Sequence, residues 1–253
     1  MSTTKNPFNK TKARKLLEFI DTNGLSMGLG KRESGQLCIM AAFNAILGRE
    51  HSDRGLDDCV GSAVRDFDIK LNDCAWSSPT ARAKGMRREA IAKIGSNQID
   101  QTQFEHLMFL RGTQKLIPFV FRKVAADPEV KEEHRTTFIQ HAEKCEALTE
   151  FEEAHRLVKS AYAYASAYAS VSASAYAYAY AYASAYAYAS ASASAYVSAY
   201  AYVSAYASAY AYAYAAWARK NLGDEFLTMT AEVAVEVLIE LKSPGVKWLD
   251  LCK

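Results

Sequence analysis

The chain has 253 residues, and 30 basic against 28 acidic side chains give it a formal net charge of +2. This near balance excludes a histone-like protein or a highly charged disordered chain, and the 50% hydrophobic content is enough to bury one or two cores. No apolar run approaches the ~20 residues of a membrane-spanning helix, and the first residues lack the apolar stretch of a signal peptide. Five cysteines without a Cys-x-x-Cys pair predict reduced thiols in a cytoplasmic protein.

Apolar residues recur at helical spacing along most of the chain, and no run of β-branched residues predicts a strand. Gly24, Gly48 and Gly95 mark helix ends, and Pro79 occupies the first turn of a helix. The predicted helices cover about residues 10–22, 36–47, 58–72, 79–94, 99–111, 113–126, 128–159 and 226–242. The sequence therefore predicts an all-α fold.

Two of these helices carry more specific expectations. The helix over 36–47 is apolar around nearly its whole circumference, which predicts a central position in the core. Pro118 is expected to kink the helix over 113–126. Asp127-Pro128 is expected to begin a long charged helix that continues to about Lys159.

Residues 161–215 form a low-complexity tract of alternating dipeptides. Every even position is Tyr or Ser, and every odd position is Ala or, three times, Val. All 16 tyrosines of the chain lie here, and no charged residue occurs between Lys159 and Arg219. The tract divides the chain into three predicted parts. These are an N-terminal helical domain (1–159), the tract (160–216) and a C-terminal helical tail (217–253) that packs back on the rest.

The strict alternation of the tract is also the pattern of a β-strand, and tyrosine favours strands. Strands would need turns, however, and the tract contains no Gly, Pro, Asn or Asp, whereas alanine is the best helix former. We therefore favour a helix over a β-stack or disorder. On a helical wheel, one sector of about 80° collects eight tyrosines, here called the tyrosine stripe. The stripe consists of Tyr164, Tyr168, Tyr178, Tyr182, Tyr186, Tyr196, Tyr200 and Tyr214.

An uncharged helix with a tyrosine stripe is expected to bury that stripe against another helix or another copy of itself. Alanine permits close helix approach, and tyrosine supplies a large contact area with a polar tip. The favoured function is therefore non-enzymatic: interaction or self-assembly through the tract, with the same chain or another protein as the partner. The alternatives for the tract are a helical spacer packed on its own domain, or a β-polymer or ice-type surface binder.

Cys38 is the candidate nucleophile for a second function, a cysteine-dependent hydrolase. It follows Gln36-Leu37 at the predicted start of an apolar helix, where a helix N-terminus lowers a thiol pKa and offers N–H groups to an oxyanion. Papain-like hydrolases place their nucleophile in this way. His51 and Asp53 follow as the candidate base and its orienting acid. The alternative is that Cys38 is a small buried core residue.

A third function, a nucleic-acid-binding accessory protein, rests on basic residues along the helix after Pro79, where Glu89 is the one acid among them. The basic residues are Arg82, Lys84, Arg87, Arg88 and Lys93. His141 and Cys145 share a helical face, but their surroundings are those of a solvated charged helix. We therefore predict neither a metal site nor a cofactor.

The segments SGQLCIMAAFNAILGREHSDR and CVGSAVRDFDIKLNDCAWSSPTARAKGMRREAIAKIGS resemble a group of uncharacterised bacterial and phage-encoded proteins. The resemblance covers about Leu25 to Ser96 and, more loosely, LKSPGVKWLD near the C-terminus. It implies an N-terminal region of this kind, an Ala-rich low-complexity tract and a short helical tail, and it assigns no functional residue. The tracts of that group mix Asp with Ala and Tyr, whereas the tract here is uncharged and strictly alternating.

Overall fold

The structure is a computed structural model that describes residues 6–126, 128, 130–154, 156 and 223–253. Within these ranges the fold is all-α, as the sequence predicts, apart from one two-stranded sheet. The Ala/Tyr/Ser tract and its tyrosine stripe lie outside the described residues.

Seven α-helices carry the described fold. They are α1 (Lys10–Asn23), α2 (Ile39–Leu47), α3 (Ser62–Asn72), α4 (Pro79–Ala92), α5 (Gln101–Ala125), α6 (Glu132–Glu146) and α7 (Gly223–Glu240). Short 3₁₀ segments cover Arg32–Ser34, Ser96–Gln98 and Pro244–Cys252. Strands β1 (Gly30–Lys31) and β2 (Gln36–Leu37) pair antiparallel, with Gly30 opposite Leu37.

Local capping explains why two of these helices begin where the sequence predicts. The Asn9 side chain accepts a hydrogen bond from the Lys12 N–H at 2.9 Å, and α1 follows at once. Ser78 accepts from the Ala81 N–H at 3.0 Å, and Pro79 fills the first turn of α4. Such caps satisfy N–H groups that have no partner inside the helix.

The described chain divides into two compact units. Unit 1 comprises Met1–Phe104 and Asp224–Lys253, and unit 2 comprises Glu105–Gly223. The C-terminal segment therefore completes a fold that begins near the N-terminus, and the intervening chain is an insertion in unit 1. The predicted parts 1–159, 160–216 and 217–253 stay a prediction, because both boundaries between them lie outside the described residues.

The core of unit 1 is built around α2. Every residue from Ile39 to Asn44 is buried, which confirms the central position that the all-round apolar pattern predicts. Side chains of α1, α3, α4 and α7 complete this core. They include Leu16, Ile20, Val64, Phe67, Met86, Ile91, Val237 and Leu238.

The predicted break between residues 111 and 113 is wrong, because α5 is one helix of 25 residues with Pro118 inside it. A proline in a helix interior costs roughly 3 kcal/mol. Burial of apolar side chains on both sides of Pro118 offsets that cost, and these are Phe109, Leu110, Leu116, Ile117, Val120 and Phe121. Packing therefore overrides the local helix-breaking signal.

The predicted helix from residue 128 to 159 is also wrong in its bounds. Helix α6 begins at Glu132 and ends at Glu146, and a separate helical turn covers residues 151–154. The Lys131 backbone is extended, with φ of −63° and ψ of 146°, so the helix begins after it. The short sheet was not predicted either, since two-residue strands leave no periodic signal.

Candidate functional sites

Cys38 acts as the N-cap of α2. Its sulfur accepts a hydrogen bond from the Ala41 N–H at 3.3 Å, and its own N–H donates to the Leu29 carbonyl at 3.3 Å. The Ile39 N–H donates to the Asn72 side chain at 3.2 Å. The N–H groups that a catalytic cysteine would offer to an oxyanion are thus already bonded within the protein.

The electrostatic environment of Cys38 opposes thiolate formation. The residue is 5% exposed, and burial is the largest cause that raises its thiol pKa. Backbone N–H groups of Ala41 and Met40 act in the opposite direction, while the negative charges of Asp53 and Asp73 raise the pKa further. A reactive cysteine needs a lowered pKa, so the helix start does not activate this thiol.

His51 and Asp53 do not complete a catalytic arrangement with Cys38. The His51 Nε2 lies 3.4 Å from the Leu29 carbonyl, and the described residues include no hydrogen bond from His51 to the Cys38 sulfur or to Asp53. The loop that carries His51 and Asp53 is bonded to α2, because the Asn44 amide donates to the carbonyls of Ser52 and Arg54 at 2.8 Å each. Cys38, His51 and Asp53 therefore lack the hydrogen bonds to one another that a nucleophile, its base and the orienting acid require.

Arg82, the first residue of the predicted basic surface, is buried in unit 1. Its guanidinium donates to the Leu25 carbonyl at 2.6 Å and to the Cys74 carbonyl at 3.4 Å, and only 5% of the residue is exposed. Burial lowers the pKa of this arginine below its ordinary value. Arg82 thus links two loops of the core and presents no charge to a partner.

The other four basic residues of the predicted surface each lie in a different environment. The Arg87 Nε donates to Asp21 on α1 at 3.0 Å, and Arg88 pairs with Glu232 on α7. Lys93 is fully buried. Lys84 alone of the five is exposed and outside any ion pair. The structure therefore does not gather the predicted residues on one exposed basic face.

A cluster of three charged residues that the sequence analysis missed lies in the core. The cluster consists of Asp68 on α3, Glu89 on α4 and Lys93 directly after α4. All three side chains are 0% exposed. The Lys93 ammonium contacts Asp68 Oδ2 directly and Glu89 Oε2 at 3.3 Å, and it lies 4.8 Å above the Phe43 ring. We call Asp68, Glu89 and Lys93 the buried charge cluster.

The cluster shifts the pKa values of Glu89 and Lys93. Burial, followed by the charge of Asp68, raises the pKa of Glu89 well above its ordinary value. Burial acts to lower the pKa of Lys93, but the combined effect of Asp68 and Glu89 outweighs it, so the pKa is raised. One sequence signal could have revealed this site: Asp68 lies four residues after Val64, on the apolar face that Val64 shares with Phe67 and Leu71.

The C-terminal segment is attached to unit 1 at the start of α7. The Ser77 N–H donates to Asp224 Oδ1 at 2.9 Å, and the Ser77 hydroxyl contacts Asp224 Oδ2. Helix α7 then buries an apolar face that includes Phe226, Leu227, Ala231, Val233, Ala234, Val237 and Leu238.

The chain after α7 is attached to unit 1 by a side-chain hydrogen bond and an ion pair. The Ser243 hydroxyl donates to the Ala92 carbonyl at 2.7 Å, and Lys10 pairs with Asp250 at 2.8 Å. These contacts join the C-terminal segment to residues near the N-terminus of unit 1, whereas the insertion leaves unit 1 after Phe104 and returns at Asp224.

Among the described residues, no three side chains are grouped to hold a metal ion. In the same part of the chain, no helix combines the length and the apolar composition needed to cross a membrane. Comparison of the chain with known protein families, curated proteins and solved structures finds no match. The resemblance of residues 25–96 to uncharacterised bacterial and phage proteins stays a prediction.

Proposed function

We propose that this protein is a non-enzymatic assembly protein that associates with further copies of itself through the Ala/Tyr/Ser tract. In this proposal, unit 1 is the folded domain that carries the tract, and the tract supplies the surface by which copies of the chain contact one another. The observation that carries the proposal is the division of unit 1 between Met1–Phe104 and Asp224–Lys253. A tract inserted between two parts of one fold is tethered at both ends, which lowers the entropy that it loses when it associates.

Two further observations support the proposal. The candidate thiol and the basic helix of unit 1 are engaged in internal hydrogen bonds and ion pairs, so the tract remains the chemically distinctive part of the chain. It contains 16 tyrosines and no charge, and tyrosine is the residue type that supplies large contact area at interfaces. All five cysteines are free thiols, which supports a reducing compartment such as the cytoplasm.

Sedimentation velocity of full-length variants tests the proposal. One variant replaces the eight tyrosines of the stripe with serine. The matched control replaces the other eight tyrosines, which are Tyr162, Tyr176, Tyr180, Tyr188, Tyr202, Tyr206, Tyr210 and Tyr212. The two variants have the same composition and differ only in the positions changed.

We expect the unmodified chain to form a defined oligomer, the stripe variant to sediment as a monomer, and the control to retain the oligomer. Equal loss of the oligomer in both variants would support assembly by the tract but overturn the helical stripe. A monomeric unmodified chain at all accessible concentrations would overturn the assembly function. Circular dichroism of each variant checks that unit 1 remains folded.

A further inference from the structure

The buried charge cluster has fewer hydrogen-bond donors than its carboxyl oxygens require. Lys93 serves Asp68 Oδ2 and Glu89 Oε2, whereas Asp68 Oδ1 and Glu89 Oε1 have no donor among the described residues. A buried oxygen without a donor costs about 1–3 kcal/mol, and more when it carries charge. An additional hydrogen-bond donor to these two oxygens would remove this cost.

The charges of the cluster show the same shortage. With both carboxylates ionised, one ammonium faces two negative charges in a region from which water is excluded. Isolated buried charges are strongly disfavoured, and such groups neutralise instead. The Cys59 thiol is close enough for the charge of Lys93 to act on its pKa, and burial raises that pKa to about 12, so the thiol is neutral. It cannot supply the missing positive charge.

We propose that Asp68 and Glu89 form a buried proton-binding site that holds one proton between them at neutral pH. The Asp68 and Glu89 carboxyl groups both contact the Lys93 ammonium and therefore lie close together. A proton on Glu89 therefore supplies an O–H donor and leaves a neutral cluster of one carboxylate, one carboxylic acid and one ammonium. Two carboxyl groups that share a site in this way cannot both ionise readily.

This proton links the packing of α3 against α4 to pH. A carboxyl group whose pKa is raised by folding stabilises the folded state fully below its ordinary pKa of 4.5, and that contribution is lost as the pH rises through the folded value. The raised pKa of Lys93 acts in the same direction, because its contribution is lost as the pH rises through the folded value of that lysine. Alkaline conditions should therefore open unit 1 at this cluster.

Carbon-detected NMR of the full-length protein tests the proposal directly. The ¹³C resonance of the Glu89 side-chain carboxyl is followed between pH ~4 and ~8, across the ordinary titration range of glutamate. Glu89→Gln identifies the resonance and imitates the protonated acid. Glu18→Gln is the matched control, because Glu18 is exposed on α1.

We expect the Glu89 signal to stay at the position of a protonated acid at neutral pH. We also expect Glu89→Gln to move alkaline unfolding to higher pH, and Glu18→Gln to leave it unchanged. An ionised Glu89 and an ionised Asp68 at neutral pH would overturn the proposal. If Glu89→Gln does not fold, the infrared band of a protonated carboxylic acid in the unmodified protein decides the question: its presence at neutral pH supports the proposal, and its absence overturns it.

Discussion

The backbone of Gly245 lies directly against the carbonyl oxygen of Ile91. A β-carbon at position 245 would lie 2.1 Å from this oxygen, and further carbonyls of α4 and its C-terminal turn are within 3.0 Å. Only glycine allows the C-terminal segment to approach α4 this closely. This contact decides how the last residues of the chain join the unit that the first residues begin.

Gly245→Ala is therefore expected to lower the free energy of unfolding of unit 1 by about 2–3 kcal/mol, since backbone atoms cannot move aside as a flexible side chain can. Urea unfolding measured by circular dichroism checks this value. Gly61→Ala is the comparison, because a β-carbon there meets the side chain of Gln101. The loss at Gly61 should be smaller, and equal losses would contradict the explanation from backbone contact.

Cys38→Ser is expected to keep the stability of the protein, and Cys38→Ala to lower it by about 1 kcal/mol. A serine oxygen can accept the hydrogen bond of the Ala41 N–H, whereas alanine removes the cap. Urea titrations of the two variants measure the difference. The thiol should also react slowly with an alkylating agent at neutral pH in the folded protein and at an ordinary rate in denaturant, because burial raises its pKa. Rapid selective alkylation of the folded protein would instead revive the hydrolase function.

Lys93→Met is expected to destabilise the protein by about 3–5 kcal/mol, because it leaves the Asp68 carboxylate buried without its cation. Lys84→Met on the same helix is the control, and its effect should lie within about 0.5 kcal/mol, as for most exposed positions. Thermal and urea unfolding report both values. Replacement of the whole cluster by apolar residues of similar size should recover much of the loss. A loss from Lys93→Met no larger than that of the control would contradict the structural role of the cluster.

The ion pair of Arg49 and Asp58 should contribute to stability above acidic pH. The guanidinium meets the carboxylate through two hydrogen bonds, of 2.9 Å and 2.5 Å, and lowers the pKa of Asp58 below its ordinary 3.8. A lowered carboxyl pKa stabilises the fold above the unfolded value, and this contribution is lost as the pH falls through the folded value.

Asp58→Asn is therefore expected to lower stability at neutral pH by at most about 1 kcal/mol, since the pair is partly exposed. The difference between the variant and the unmodified chain should disappear as the pH falls through the folded pKa of Asp58, which lies below its ordinary 3.8. Urea unfolding at a series of pH values measures it. A difference that persists at the lowest pH would show that Asp58 acts through something other than its charge.

The helices whose ends carry capping side chains or glycines could be predicted from the sequence. Asn9 and Ser78 begin α1 and α4, and Gly48 ends α2 in a left-handed conformation with φ of 72°. The central position of α2 followed from its apolar circumference alone. These features depend on hydrogen bonds within a few residues, or on the composition of one segment, so neighbouring sequence is sufficient to determine them.

The candidate sites could be predicted only in part. The helix predicted over 36–47 is α2, which begins at Ile39 with Cys38 as its N-cap. The bonds that engage the N–H groups of Cys38 and Ile39 come from Leu29 and Asn72, and Asn72 is distant in the sequence. The basic residues of α4 were recognised by type. Whether each faces solvent, a carboxylate or the core depends on the neighbouring helices.

By itself, the sequence determined the all-α class, the starts of α1 and α4 and the unusual composition of the tract, because these follow from local hydrogen bonding, periodicity and composition. Only the tertiary structure decided that α5 continues through Pro118, that Asp68 meets Glu89 and Lys93, and that the C-terminal segment forms one unit with Met1–Phe104. Each of these outcomes depends on residues far apart in the chain being buried together. Their energies come from packing and from the exclusion of water, which no local pattern specifies.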